Sequence, residues 1–127
     1  MKQYMSLLFI LFTANLFAQK QVIDHTVYNS WKKNEQQKVS ADGQLISYEI
    51  NPHRGDGWLY IYRVNESKLD SFPRGKEARF TPDGKAFVFK ITPGYDTLRR
   101  CELNKIDKKK WPKDSLGIYW VTTDSLV

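Results

Sequence analysis

The sequence predicts an all-β fold of antiparallel four-stranded units behind an N-terminal signal helix, on three observations. Beyond residue 38, short aromatic and β-branched runs alternate apolar and polar positions with period two. Asp-Gly, Pro and Asn punctuate those runs where hairpins and loops are required. One turn is written twice, as Ser40-Ala41-Asp42-Gly43-Gln44 and Thr81-Pro82-Asp83-Gly84-Lys85, 41 residues apart.

The first 18 residues read as an export signal rather than as part of the fold. Lys2 supplies a positive start, Leu7 to Phe12 and Leu16 to Phe17 an apolar stretch, and Ala18 a small residue for cleavage before Gln19. The stretch is shorter than the roughly 20 apolar residues of a membrane span. The expected location is therefore outside the cytoplasm, periplasmic or secreted, with no membrane attachment after cleavage. Cleavage leaves 109 residues, one small domain at most. Residues 19–38 form a lead-in segment, in which residues 22–36 could hold a helical turn with Val22, Ile23, Val27, Tyr28 and Trp31 on one side.

Four later runs have strand character. Leu45 to Ile50 sets Ile46, Tyr48 and Ile50 on one face and Leu45, Ser47 and Glu49 on the other. Trp58 to Val64 sets Trp58, Tyr60, Tyr62 and Val64 against Leu59, Ile61 and Arg63, and Ala86 to Ile91 sets Phe87, Phe89 and Ile91 against Ala86, Val88 and Lys90. Leu116 to Thr122 is the last. Asp42-Gly43 and Asp83-Gly84 are hairpin tips, where glycine supplies the positive φ the turn needs. Asn51 to Gly57 and Thr92 to Thr97, each with Pro and Gly, read as longer loops between consecutive strands.

A period of about 40 to 50 residues in four-stranded all-β units is what propeller blades produce. The expected organisation is thus a partial β-propeller over residues 39–127, with blade-like units at about 39–76 and 77–127. A ring of four to eight blades at about 40 residues each needs roughly 160 residues or more. Two blades cannot close one, so the expected pair leaves apolar faces and strand edges open to self-association.

Several segments, in order, resemble exported bacterial members of the prolyl oligopeptidase family. Asp24-His25-Thr26-Val27-Tyr28-Asn29-Ser30-Trp31-Lys32 is similar to the lead-in before the first blade. Val39-Ser40-Ala41-Asp42-Gly43, Tyr48-Glu49-Ile50-Asn51-Pro52 and Gly55-Asp56-Gly57-Trp58-Leu59-Tyr60-Ile61 resemble that blade. Phe72-Pro73-Arg74-Gly75, Ala78-Arg79-Phe80-Thr81-Pro82-Asp83 and Pro112-Lys113-Asp114-Ser115-Leu116-Gly117-Ile118-Tyr119 continue the likeness. The resemblance implies a parent in which the propeller is a lid and size filter over a C-terminal α/β-hydrolase domain. That domain would cleave short peptides with a Ser, Asp, His triad. The implied partners are that hydrolase domain and short peptide substrates.

The sequence departs from the family where catalysis is concerned. It contains no Gly-x-Ser-x-Gly, the strained turn that presents the nucleophile in α/β-hydrolases, so no residue receives a catalytic role. It also lacks the Glu-Glu pair with which dipeptidyl-peptidase relatives hold a substrate's amino terminus. The chain is expected to be an N-terminal propeller fragment without activity of its own. The alternative is a stand-alone exported β-sheet module that binds peptide or glycan.

No residue is assigned to a metal or cofactor. His25 and His53 lack any ligand-spaced companion, and the single cysteine, Cys101, excludes an intramolecular disulfide and reads as inert packing. Glu49 and Asp56 are a carboxylate pair without a shared motif, and Arg54-Gly55-Asp56 is assigned to a tight turn. Asn65-Glu66-Ser67 spells a glycosylation sequon, which a bacterial signal makes irrelevant. Net charge is +6, much of the excess lying between Lys105 and Lys113, a run read as a solvated connection between strands because export separates the protein from nucleic acid. Nucleic acid is therefore not expected as a partner. Tyr48, Trp58, Tyr60, Tyr62, Phe87, Phe89, Tyr119 and Trp120 read as strand-face residues between blades rather than as a stacking platform.

Overall fold

The computed structural model describes residues 25–127. The export signal and the start of the lead-in lie outside the described residues.

A 3-10 turn, His25–Ser30, precedes eight strands and one helix. Strands β1 (Lys32–Val39), β2 (Leu45–Pro52), β3 (Trp58–Arg63) and β4 (Lys68–Pro73) form one antiparallel meander in sequence order. Strands β5 (Gly75–Phe80), β6 (Ala86–Ile91), β7 (Ser115–Trp120) and β8 (Ser125–Leu126) form a second with the same order. Helix α1 (Tyr95–Leu103) lies in the long β6–β7 connection. Each sheet is an open four-stranded blade, and neither closes into a barrel.

The twin turns are hairpin tips with matching hydrogen bonds. Leu45 N–H donates to Ser40 Oγ at 2.9 Å, and the hydroxyl donates to Asp42 Oδ1 at 2.5 Å. One unit later, Ala86 N–H donates to Thr81 Oγ1 at 3.1 Å, and that hydroxyl donates to Asp83 Oδ1 at 2.6 Å. Each aspartate also accepts from the backbone two residues on, Gln44 N–H and Lys85 N–H, which stabilises the turn locally. Gly43 and Gly84 sit at φ of 73° and 67°, in the region a side chain disfavours.

The repeat extends to a defect that sequence periodicity does not display. β1 and β5 each carry a bulge, and each bulge holds a residue in the left-handed region, Gln36 at φ 54° and Glu77 at φ 56°, again 41 residues apart. After β6 the units diverge, because the second inserts α1 where the first has the short loop His53 to Gly57.

The two sheets pack face to face. Leu59, Ile61 and Phe72 from the first meet Ala78, Phe87, Phe89 and Tyr119 from the second in one buried cluster. Phe72 is its hub, with ring centroids 5.5 Å from Phe87, 4.9 Å from Phe89 and 5.1 Å from Tyr119. Close approach requires glycine at two points: a Cβ on Gly75 would lie 2.8 Å from that of Leu59, and one on Gly117 would lie 2.8 Å from Phe89 Cζ.

Two elements differ from the sequence reading. Residues 32–38, placed in the lead-in and in part in a helical turn, form most of β1. Seven of the eight β1 residues are exposed, so this edge strand is specified by pairing with β2 rather than by its own pattern. Helix α1 begins inside the stretch Thr92 to Thr97 that the sequence reads as a loop. Only Cys101 is buried on it and the helix is nine residues long, too short and too polar to display a helical stripe.

Candidate functional site

The face that each strand buries determines what the molecule presents. In β2 the buried residues are Leu45, Ser47 and Glu49, and in β3 they are Leu59, Ile61 and Arg63. The more aromatic face, with Ile46, Tyr48, Ile50, Trp58, Tyr60 and Tyr62, is the one left partly open. Tyr48 and Tyr60 are directly opposite in the ladder and stack at 5.3 Å with an interplanar angle of 15°. On the far side of the second sheet, Leu116 and Trp120 are exposed, with Val88 and Ile118 half-buried beside them.

Two polar clusters bridge the sheets. Glu49 is 3 % exposed, and its Oε1 accepts from the Glu77 N–H at 2.7 Å while Oε2 accepts from Asn51 Nδ2 at 3.1 Å. Lys38 Nζ donates to the Ala78 carbonyl at 2.9 Å nearby. The second cluster centres on Arg63, 4 % exposed, which donates to Tyr119 Oη at 2.8 Å and to the Val121 carbonyl at 3.2 Å. It pairs with Asp70 at 2.9 Å, with Glu66 at 3.2 Å, and with Asp124, which Lys68 also holds at 2.8 Å.

Burial works against the Arg63 charge. The Asp124 hydrogen bond and the nearby Asp70 outweigh it, so the guanidinium holds its proton more firmly than an ordinary arginine. Burial, followed by the hydrogen bond with Asp124, raises the Tyr119 hydroxyl above the usual tyrosine value. Bonds from Lys68, Arg63 and Tyr119 hold the Asp124 carboxyl well below the ordinary carboxylate range. Arg63 pairs with each of the three carboxylates, and its bonds to Tyr119 and Val121 tie the two sheets together.

The other singled-out residues are dispersed. His25 is exposed in the 3-10 turn, and His53 is exposed in the β2–β3 loop. His53 lines an open hollow of about 580 Å³ with Tyr28, Trp31, Lys32 and Lys33. Asp56 of the Arg54-Gly55-Asp56 turn accepts from Tyr95 N–H at 2.8 Å, so this first-sheet loop secures the start of α1. Glu49 and Asp56 therefore serve separate contacts. Cys101 is buried, and Lys105 to Lys110 are all exposed. Among the described residues no group of three or more His, Cys, Asp or Glu is placed to hold a metal ion. No helix among them is long and apolar enough to cross a membrane.

The sequence matches no protein-family model and no curated protein. Solved structures do match. The chain is similar to the β-propeller domain of the Trilobed protease from Pyrococcus furiosus, at 14 % identity and a TM-score of 0.54, over 76 % of this chain and 27 % of that one. It is similar to the Pyrococcus horikoshii acylaminoacyl peptidase at 12 % identity and a TM-score of 0.60, over 84 % of this chain and 15 % of that one. An acylaminoacyl peptidase bound to Z-Gly-Gly-Phe-chloromethyl ketone aligns at 13 % identity and a TM-score of 0.58, over 82 % and 15 %. The fold is that of propeller blades. The chain spans 27 % of the length of the first of these proteins and 15 % of the other two.

Proposed function

We propose that this chain is the N-terminal propeller portion of an exported, bacterial, prolyl-oligopeptidase-like serine peptidase, and that it has no catalytic activity of its own. In the whole protein the blades would shield an α/β-hydrolase domain and limit access to short peptides. The observation that carries this reading is the repeated hairpin-and-bulge unit, packed face to face as in the propellers of peptidases to which the fold is similar. Nothing in the 127 residues supplies a nucleophile elbow, so hydrolysis belongs to residues outside this sequence.

The test is to read the gene past the codon for Val127 in every frame. Further Asp-Gly hairpins at about 40-residue spacing, followed several hundred codons later by Gly-x-Ser-x-Gly, are expected. An unrelated continuation would sink the reading and favour the second one, a stand-alone exported module binding peptide or glycan. The accessible stacked pair of Tyr48 and Tyr60 is what speaks for that alternative.

A further inference from the structure

Where the first sheet hands over to the second, the strand ends leave a hollow of about 310 Å³. Its walls come from the β4–β5 link, the end of β6, the start of α1 and the approach to β7, all of them described elements. Arg74, the single residue joining β4 to β5, holds φ of 61°, in the left-handed region that a side chain disfavours. Three hydrogen bonds fix it there. Its N–H donates to the Gly57 carbonyl at 2.8 Å, and its carbonyl accepts from Thr92 N–H at 3.0 Å and from Thr92 Oγ1 at 3.3 Å. A strained residue gripped from both sheets has its side chain aimed in one direction.

That direction is along the hollow. A Cβ built on Gly94 would lie 3.9 Å from Arg74 Nη1. Asp56 also approaches Gly94, yet it accepts from Tyr95 N–H and forms no ion pair with Arg74. Among the described residues neither Arg74 nor Lys113, the second cation of the hollow, has an ion-pair partner. Asp114, next to Lys113 in sequence, acts on Lys90 instead. Thr97 and Ser115 add hydroxyls, and Ile91 and Pro93 an apolar wall.

We propose that this hollow binds the carboxylate end of a short peptide, with Arg74 and Lys113 on the carboxylate and Ile91 and Pro93 against the terminal side chain. The guanidinium fork matches a planar carboxylate, and the ammonium adds a point charge. The volume is at the lower end for ligand pockets, which suits a terminal residue rather than a long segment. A bare phosphate would leave the apolar wall unused. The choice of a peptide to carry the carboxylate rests on the peptidase reading, but the hollow does not. The downstream gene tests parentage and binding tests this site, so either can fail alone.

The full chain is titrated with N-acetyl-valine, with its C-terminal amide and with inorganic phosphate, and followed by amide NMR shifts. The acid should bind at least tenfold more tightly than the amide or phosphate, and it should shift Thr92, Thr97 and Ser115. Equal binding of the amide, no binding of the acid, or shifts confined to other residues overturns the proposal. Phosphate binding as tightly as the acid makes this a plain oxyanion site and overturns the peptide assignment. Arg74→Asn removes the guanidinium but keeps a residue that tolerates the left-handed backbone, and it should weaken the acid at least tenfold. Lys113→Gln should weaken it at least threefold. Unchanged affinity in either variant overturns the site. Should Arg74→Asn fail to fold by circular dichroism, Lys113→Gln decides alone, since Lys113 is exposed.

Discussion

Glu49 of the first sheet accepts a 2.7 Å hydrogen bond from the backbone N–H of Glu77 in the second, at the left-handed residue of the β5 bulge. A bulge withdraws one residue from its own ladder, and here the neighbouring blade satisfies the amide. Glu49→Ala is expected to lose about 1 to 2 kcal/mol in urea unfolding, since a charge-assisted hydrogen bond to a part-buried amide is lost. Glu49→Gln keeps an acceptor oxygen and should lose about half as much. Equal losses for the two variants would show that the carboxylate does not cap the bulge.

The Arg63 cluster ties the same two sheets together through β3, β4 and β7. Truncating Arg63 to Ala leaves Asp70, whose side chain is 16 % exposed, with only the 3.7 Å pair to Lys68, and removes the donor to Tyr119 Oη. Breaking one side of a buried pair is expected to cost about 3 to 5 kcal/mol. Arg63→Lys should recover little of it, because a single ammonium cannot reach the Tyr119, Val121 and Asp70 oxygens at once. Thermal unfolding of both variants beside the parent checks this, and a near-native melting temperature for Arg63→Lys would argue against geometric recognition by the guanidinium.

Ser47 is 0 % exposed and its Oγ has no hydrogen-bond partner among the described residues. The equivalent position in the second unit is Val88, which has no hydroxyl to satisfy. Removing a buried, unpaired hydroxyl is expected to stabilise the protein, so Ser47→Ala should gain about 1 kcal/mol in denaturant unfolding. A loss of similar size would reveal a partner for that oxygen.

What could be read in the residues depends on what each residue was selected to face. Ile46, Tyr48 and Ile50 against Leu45, Ser47 and Glu49 announce a strand, because the period of two is visible whichever side is buried. The buried side is the less apolar one, and nothing local to β2 reveals that. Ser47 and Glu49 are inside because the second sheet arrives there, and a partner blade is a long-range fact. The Ser40 and Thr81 hairpins were legible because their chemistry is contained within six residues. Helix α1 was hidden for the opposite reason: its start is secured by Asp56 from another sheet, and no Ser, Thr, Asp or Asn stands at its N-cap, which is Gly94. The signals that could have found it are Asp96 in its first turn and the Arg99–Glu102 pair, spaced i to i+3. The Arg63 and Glu49 clusters join residues far apart in sequence, so only the packed sheets bring them together.

Asp124 gives the fold an acid-sensitive contact. Its carboxyl is held below the usual range, chiefly by Lys68 and then by Arg63 and Tyr119, whereas in the unfolded chain it titrates near the ordinary value of about 3.9. A group whose folded value is depressed adds stability that is present in full above the unfolded value and is lost as pH falls toward the folded one. Asp124→Asn should therefore be less stable than the parent at pH 7, and the gap between the two should narrow steadily below about pH 4. Arg63 and Lys68 stay protonated throughout that range, so the narrowing isolates the carboxyl. Denaturant midpoints for both proteins between pH 2 and 7 provide the measurement, and a gap that does not change with pH would show that Asp124 acts by packing rather than by charge.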